Sequence, residues 1–117
     1  MLVIGDLNSY SQEDPLDILL KGGLSSQSLR FAATPAQHYS YVFNGEAGTL
    51  DHGLATASMA AQVSGATDWH INADEPAVLD YNVEYKSQDL YRASDHDPVI
   101  VGLRLGKAQP GASKRPL

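Results

Sequence analysis

The chain has 117 residues, enough for one domain with its own core, and its 43% hydrophobic and 19% charged content is that of an ordinary globular protein. It has no cysteine, which excludes disulfides and thiolate metal sites, and no apolar run approaches the roughly 18 residues of a membrane span. The formal net charge of −6 argues against a broad basic surface for nucleic acids, although bound cations can supply positive charge at a phosphate.

The first third of the chain is predicted to contain one strand and one clear helix. Residues 1–5 form an apolar strand, and they lack the basic start and the length of a signal peptide. A helix is predicted over residues 15–22, because Asp14 can cap it, Pro15 suits its first position and a Gly-Gly pair ends it. Residues 24–37 are rich in serine and weakly patterned, with room for one short helix.

A β-hairpin is predicted in the middle of the chain. Residues 39–43 alternate in the manner of a strand, Asn44-Gly45 is a strong turn signal, and residues 50–55 are predicted to form the returning strand. The alternation places the aromatic side chains of Tyr39, Tyr41 and Phe43 on one face of this strand. Packing of that face in the core is favoured over stacking on nucleobases.

The last half is predicted to add a short helix at residues 58–63, a strand at 67–71 and a strand at 98–105. Residues 72–91 are polar and irregular. Residues 106–117 are rich in Gly, Pro, Ser and Lys and are predicted to be a disordered tail. The mixed order of elements predicts an α+β fold.

Three polar motifs lie at the ends of predicted strands: Gly5-Asp6-Leu7-Asn8, Leu50-Asp51-His52 and Ser94-Asp95-His96-Asp97-Pro98. If they converge at one rim of a sheet, Asp6, Asp51 and Asp95 form an acidic cluster there. Asn8 is then a neutral hydrogen-bonding partner, and His96 is the cationic or proton-donating group. Carboxylates bind divalent cations and imidazole exchanges protons near neutral pH, so this set suits metal-assisted attack of water on a phosphate ester. For the last motif alone, a polar turn before a strand is the alternative.

Taken in this order, the three motifs resemble the endonuclease/exonuclease/phosphatase superfamily, whose fold is that of pancreatic deoxyribonuclease. Two flanking runs are similar to its secreted bacterial extracellular nuclease branch, namely Tyr39-Ser40-Tyr41-Val42-Phe43 and Trp69-His70-Ile71-Asn72-Ala73-Asp74-Glu75-Pro76. The resemblance covers residues 1–105. It implies the C-terminal half of a four-layer α/β/β/α sandwich, with a mostly antiparallel sheet and flanking helices, and a secreted location for full-length relatives.

The resemblance also implies a role for each motif residue. Asp6 positions or activates the attacking water and can touch the metal, and Asn8 hydrogen-bonds the scissile phosphate. Asp51 assists Asp6 or orients His96. Asp95 is a metal ligand or the partner that orients the catalytic imidazole, and His96 stabilises charge on a phosphate oxygen or protonates the leaving oxygen. Mg²⁺ is the expected cofactor, with Mn²⁺ or Ca²⁺ as alternatives.

In this superfamily Gly-Asp-x-Asn lies near the middle of the catalytic domain, and the preceding half supplies an Asn, a metal-binding Glu and usually a second His. The expected function is therefore that of the C-terminal part of a metal-dependent nuclease, weak or inactive alone. DNA or RNA is the expected substrate. The expected protein partner is the N-terminal half of the domain or a second copy of the chain, which would pack on the uncovered face of the sheet. No membrane partner is expected. The alternatives are a phosphomonoesterase or phosphoinositide phosphatase, and a catalytically dead module that binds itself or a partner.

The remaining polar residues are predicted to be mostly structural. Strand alternation turns His52 away from Asp51, and Asp97 is predicted to cap the turn before the final strand. His38 is predicted to be an exposed loop residue. His70 lies near Asp74 and Glu75 in the sequence, which allows a second metal site there. A simple turn at these acids is the favoured interpretation. The best candidates for phosphate contacts before the tail are Lys86 and Arg92.

Overall fold

The computed structural model describes residues 1–76, 78–79 and 92–106 of the chain. The strands are β1 (Leu2–Asp6), β2 (Leu24–Ser26), β3 (Tyr41–Phe43), β4 (Glu46–Gly48), β5 (Asp51–Thr56), β6 (Val63–Asp68) and β7 (Val99–Leu103). The helices are α1 (Asp14–Lys21), α2 (Gln27–Phe31) and α3 (Ala57–Ala60), with a 3₁₀ turn at Pro35–Gln37. Helices and antiparallel strands together confirm the predicted α+β class.

Every strand pair in the described residues is antiparallel. β5 lies between β1 and β2 in a three-stranded sheet, and β3-β4 and β6-β7 form separate two-stranded ladders. In the central ladder Leu2 is opposite Ala55 and Asp6 is opposite Asp51. The end of β1 therefore meets the start of β5 at one rim of the sheet.

Helix α1 covers one side of this sheet. Pro15 stands at its start and Gly22 follows its end, as predicted, but Glu13 rather than Asp14 holds the N-cap position and makes no side-chain cap there. The helix buries Leu16 against Leu24 of β2 and Leu54 of β5. These three leucines, each below 10% exposed, form the core cluster beside the site.

The opposite side of β5 packs closely on β7. Gly53 has no side chain, and a Cβ atom built there would lie 3.0 Å from Cγ2 of Val101 and 3.4 Å from Cγ1 of Val99. The absence of a side chain at position 53 lets the two strands approach at this point. The final strand is thereby held against the sheet that carries the acidic pair.

The central hairpin differs from the prediction. Asn44 and Gly45 do form the turn, with φ of 51° and 80°, the left-handed values that a two-residue hairpin turn requires. The returning strand, however, is β4 and not residues 50–55. A two-residue turn pairs the residues that immediately flank it, so the strand that begins at Asp51 is free to pair with β1 and β2.

Other boundaries shift by a few residues. The predicted helix at 58–63 is the shorter α3, the strand predicted at 67–71 is β6, which begins four residues earlier, and the strand at 98–105 is β7. Lys86 and residues 107–117 of the predicted tail lie outside the described residues. Within the described ranges no helix is both long and apolar enough to cross a membrane.

Candidate active site

Two carboxylates face each other at the rim of the central sheet. Asp6 is the last residue of β1, and Asp51, the first residue of β5, is its direct partner in the antiparallel register. Directly opposed residues place their side chains on one face with Cβ atoms about 5 Å apart, and like charges in such a pair destabilise the sheet. Asp6 is exposed and Asp51 is half-buried. The arrangement calls for a compensating positive charge.

His96 supplies the third group of this cluster. Its Nδ1 lies 2.6 Å from Oδ2 of Asp51, and the ligand-bearing atoms of Asp6, Asp51 and His96 all lie within 4.8 Å of one another. In the described part of the chain, no other set of three His, Cys, Asp or Glu side chains meets that spacing. The carboxylate holds the proton at Nδ1, which leaves Nε2 as the nitrogen that can exchange a proton with a substrate.

The backbone also fixes the position of His96. It forms an isolated antiparallel bridge with Tyr41, whose ring centroid lies 4.7 Å from that of the imidazole. Its backbone N–H donates to Oγ of Ser94 at 3.0 Å. The orientation of the imidazole is therefore fixed by contacts with Ser94, with Tyr41 of β3 and with Asp51. Proton transfer requires such a fixed orientation.

Ser40 connects the start of β5 with the segment that carries His96. Its side chain is fully buried; Oγ donates to Oδ2 of Asp51 at 2.8 Å and accepts the backbone N–H groups of Leu50 and Asp51 at 3.1 and 3.0 Å. Its carbonyl oxygen accepts the backbone N–H of Asp97 at 2.7 Å. One hydroxyl thus uses its full hydrogen-bonding capacity to set the carboxylate that holds His96.

Asn8 lies on a turn directly after β1. Its φ of 48° is left-handed, a conformation that Asn tolerates better than most residues, and its backbone N–H donates to Oδ1 of Asp6 at 2.7 Å. Its side chain lines an open groove of about 520 Å³. The groove walls include Tyr10, Tyr41, Phe43 and His96. The structure therefore brings Asn8 and the imidazole to one concave surface.

Asp95 is placed elsewhere. It is exposed and lines a neighbouring cavity of about 630 Å³ together with Asp74, Glu75 and the β3-β4 turn. The partner that orients the imidazole is Asp51 and not Asp95. Among the described acids the candidate cation ligands are thus Asp6 and Asp51, and a metal-binding role for Asp95 stays a prediction, as does a phosphate contact from Arg92.

Asp97 has a larger role than the predicted turn cap. It is fully buried, and its Oδ1 accepts the backbone N–H groups of residues 71–73 at 2.9 to 3.0 Å. Its Oδ2 lies 2.8 Å from Nδ1 of His70. The loop at residues 71–73 also contacts the site, because Nδ2 of Asn72 donates to the carbonyl oxygen of His96 at 2.8 Å. The expectation of a simple turn cap at Asp97 was wrong.

Two other histidines are structural. His52 is buried on the face opposite to Asp51, as alternation predicted, and its Nε2 lies 2.9 Å from the carbonyl oxygen of Ser9. His38 was predicted to be exposed, and that prediction was wrong. Its side chain is buried and its Nδ1 lies 2.7 Å from Oδ2 of Asp68. Neither histidine reaches the acidic pair.

The expected alternative of a second metal site at His70 does not fit the contacts. Nδ1 of His70 faces Asp97, and the following acid, Asp74, instead accepts a hydrogen bond of 2.8 Å from the hydroxyl of Tyr39. The ring of Tyr39 stacks on His70 with centroids 4.0 Å apart. Burial, together with the hydrogen bond to Asp74 and the negative charges of Asp74 and Asp97, raises the pKa of Tyr39 to about 12.

Sequence reasoning missed Ser40, Asn72 and the anchoring function of Asp97. Ser40 alternates with Tyr39 and Tyr41, and the sequence predicts that the tyrosine face packs in the core. Alternation therefore predicts an exposed Ser40, whereas the structure buries it. Asn72 and Asp97 act through loop contacts across more than 20 residues of sequence. Local composition does not encode such contacts.

Comparison with protein-family models, with characterised proteins and with solved structures gives no match to this chain. The geometry of the cluster and the resemblance of the three motifs therefore carry the functional proposal.

Proposed function

We propose that the chain carries the site of a divalent-metal-dependent phosphodiesterase that hydrolyses nucleic-acid phosphodiester bonds. The observation that carries the proposal is the convergence of Asp6, Asp51 and His96 within 4.8 Å, from segments 45 residues apart in sequence. The resemblance to the endonuclease/exonuclease/phosphatase superfamily supports it. The same proposal assigns the antiparallel sheet and its helices to the C-terminal part of that superfamily's α/β/β/α sandwich.

The residues present fit a hard divalent cation. Two carboxylates in direct cross-strand register repel each other, and a cation held by Asp6 and Asp51 would remove that repulsion. The donors are oxygen atoms with one imidazole nearby, which suits Mg²⁺ or Mn²⁺ better than a thiophilic metal. When bound, the cation supplies positive charge that offsets the negative charge of the phosphate.

The protein groups then divide the proton transfers. Oδ1 of Asp6 accepts the backbone N–H of Asn8, and the carboxylate oxygen that is not bound to the cation accepts a proton from the attacking water. Nε2 of His96 donates a proton to the leaving oxygen, and Asp51 stabilises the imidazole through Nδ1 during that transfer. The side-chain amide of Asn8 donates to a non-bridging phosphate oxygen.

Metal binding gives the first test. Titration of the chain with Mn²⁺, followed by electron paramagnetic resonance, should show one site that weakens roughly tenfold or more in Asp6→Asn and in Asp51→Asn. Asp14→Asn is the matched control, because Asp14 is an exposed acid in the first turn of α1. Equal affinity in all three variants would place the cation elsewhere.

Hydrolysis gives the second test. With the chain in its natural full-length context and Mg²⁺ present, cleavage of an oligonucleotide should fall about 100-fold or more in His96→Ala and in Asp6→Ala. Cleavage that survives both substitutions, or no cleavage with Mg²⁺ or Mn²⁺, would refute the assignment.

A small phosphate ester is the second candidate substrate. Among the described residues that line the groove none is Lys or Arg, and Glu13 adds a negative charge. A phosphomonoester or a phosphoinositide headgroup needs fewer cationic contacts than a long duplex. A panel of such esters, assayed beside an oligonucleotide under identical conditions, distinguishes the two classes by their relative kcat/KM.

A further inference from the structure

An aromatic surface lies beside the proposed catalytic imidazole. Tyr41 and Phe43 occupy alternate positions of β3, so their side chains share one face of the hairpin. Their rings are nearly parallel, with 14° between the planes and 6.3 Å between the centroids. The ring of Tyr41 also contacts His96, at 4.7 Å between centroids. Imidazole, Tyr41 and Phe43 thus form a continuous row that leads away from the acidic pair.

The outer end of this row is open. Phe43 is 58% exposed, although alternation predicted that this aromatic face would pack in the core. A phenylalanine ring left in water forgoes the free energy of burial that core residues gain. Phe43 lines the groove that also contains Asn8 and His96, so a molecule that covers this ring would lie next to the reacting groups.

The groove offers aromatic rings rather than cationic side chains to a nucleic acid. Its described lining carries no Lys or Arg, so it has no cationic side chain for the phosphates of either a single strand or a duplex. Aromatic rings instead bind nucleobases through their faces, and a base offers its face only when it is unpaired and unstacked. Stacking on the row therefore selects single-stranded substrate.

We propose that Phe43, supported by Tyr41, is a base-stacking platform that takes the unpaired nucleobase adjacent to the phosphate held at His96. The inference rests on the proposed function for the location of that phosphate. It goes further in naming single-stranded nucleic acid as the substrate class and Phe43 as the residue that recognises it.

The platform can be tested without hydrolysis. A fluorescent single-stranded hexadeoxyadenylate is titrated with the protein in EDTA, and binding is followed by anisotropy. We expect Phe43→Ala to weaken binding about fivefold or more, and Phe43→Trp to restore it, because any large aromatic face can stack. The matched control is Phe31→Ala, since Phe31 is the only other phenylalanine of the chain and lines a different cavity. Circular dichroism confirms that each variant is folded.

The outcomes separate the platform from the catalytic proposal. If Phe43→Ala and Phe31→Ala bind the single strand equally well, the platform is refuted, even when His96→Ala abolishes cleavage. If Phe43→Ala alone loses single-strand affinity, the platform stands, even when no variant cleaves nucleic acid. A fully base-paired, blunt-ended duplex should bind no more weakly to Phe43→Ala than to the unsubstituted protein, and a fivefold loss there too would contradict selection for unpaired bases.

Discussion

Ser40→Ala should damage the protein more than any exposed serine substitution, because one buried hydroxyl closes three hydrogen bonds. Its removal leaves the buried backbone N–H of Leu50 without that acceptor, which costs about 1–3 kcal/mol. It also removes a donor to the carboxylate of Asp51, and hydrogen bonds to charged groups contribute about 1.5–3 kcal/mol. The two losses share one site and are not additive, so we expect a net destabilisation of about 3 kcal/mol.

This loss is measurable by urea unfolding, with the fluorescence of Trp69, the single tryptophan, as the probe. For a chain of this size a loss of 3 kcal/mol lowers Tm by roughly 10 °C. Ser11→Ala is the control, because Ser11 is exposed and surface substitutions usually change stability by less than about 0.5 kcal/mol. A Ser40→Ala protein within about 0.5 kcal/mol of the unsubstituted chain would show that the hydroxyl does not hold Asp51, and the account of the site would fail there.

Three further substitutions or titrations probe contacts outside the acidic cluster. Asp97→Ala should destabilise the chain by about 3–5 kcal/mol and speed hydrogen exchange at the amides of residues 71–73; unchanged exchange would contradict the anchoring role. Tyrosinate absorbance should show Tyr39 ionising near pH 12. The stability due to its raised pKa is then complete below about pH 10 and is lost as pH rises through about 12. Ionisation of Tyr39 together with the ordinary tyrosines would refute this. Gly53→Ala should cost about 1–3 kcal/mol through overpacking, whereas Gly65→Ala, with nothing within 4 Å of its added Cβ, should not.

The elements with strong local signals could be predicted from the sequence. The apolar start gives β1, Pro15 and the Gly22-Gly23 pair bound α1, and the Val-Ile-Val run gives β7. The convergence of Asp6, Asp51 and His96 could be predicted in the same way, because both acids stand at the end of a strand, whereas Asp95 lies outside this cluster. The prediction of a site depended on the residue types at those strand ends, and these can be read from a short stretch of sequence.

The central hairpin shows where local reasoning fails. Asn44-Gly45 predicts the turn, but the strand that follows, Glu46–Gly48, has poor strand propensity and no alternation. The sequence therefore predicts the more apolar run further on as the returning strand. The actual pairing of β5 is decided by tertiary contacts, including the backbone N–H of Leu7 with the carbonyl oxygen of Leu50 at 3.0 Å. Such contacts between distant residues are invisible to a window of neighbours.

Buried carboxylates show a second limit. Turn composition described Asp97 adequately as a polar residue before a proline, yet the side chain is fully buried and bonded to three successive backbone N–H groups. Burial of a charge is costly unless it is hydrogen-bonded, so the loop at residues 71–73 and the carboxylate depend on each other. His38 and Asp68 form another such pair. In each case the partner lies about 25 to 30 residues away.

The register of β1 against β5 determines whether the site exists. A slip of one residue would place Asp6 opposite His52 and turn its carboxylate away from Asp51, since side chains alternate along a strand. His52 opposes that slip from the buried face, because its Nε2 contacts the carbonyl oxygen of Ser9 and so fixes the turn that carries Asn8. The adjacent residues Asp51 and His52 lie on opposite faces of β5: Asp51 orients the imidazole on the face that also packs against β7, and His52 contacts the turn from the other, buried face. The ladder between β1 and β5, together with this buried contact, keeps Asp6 and Asp51 opposite each other, which is the arrangement that a cation held by both carboxylates would require.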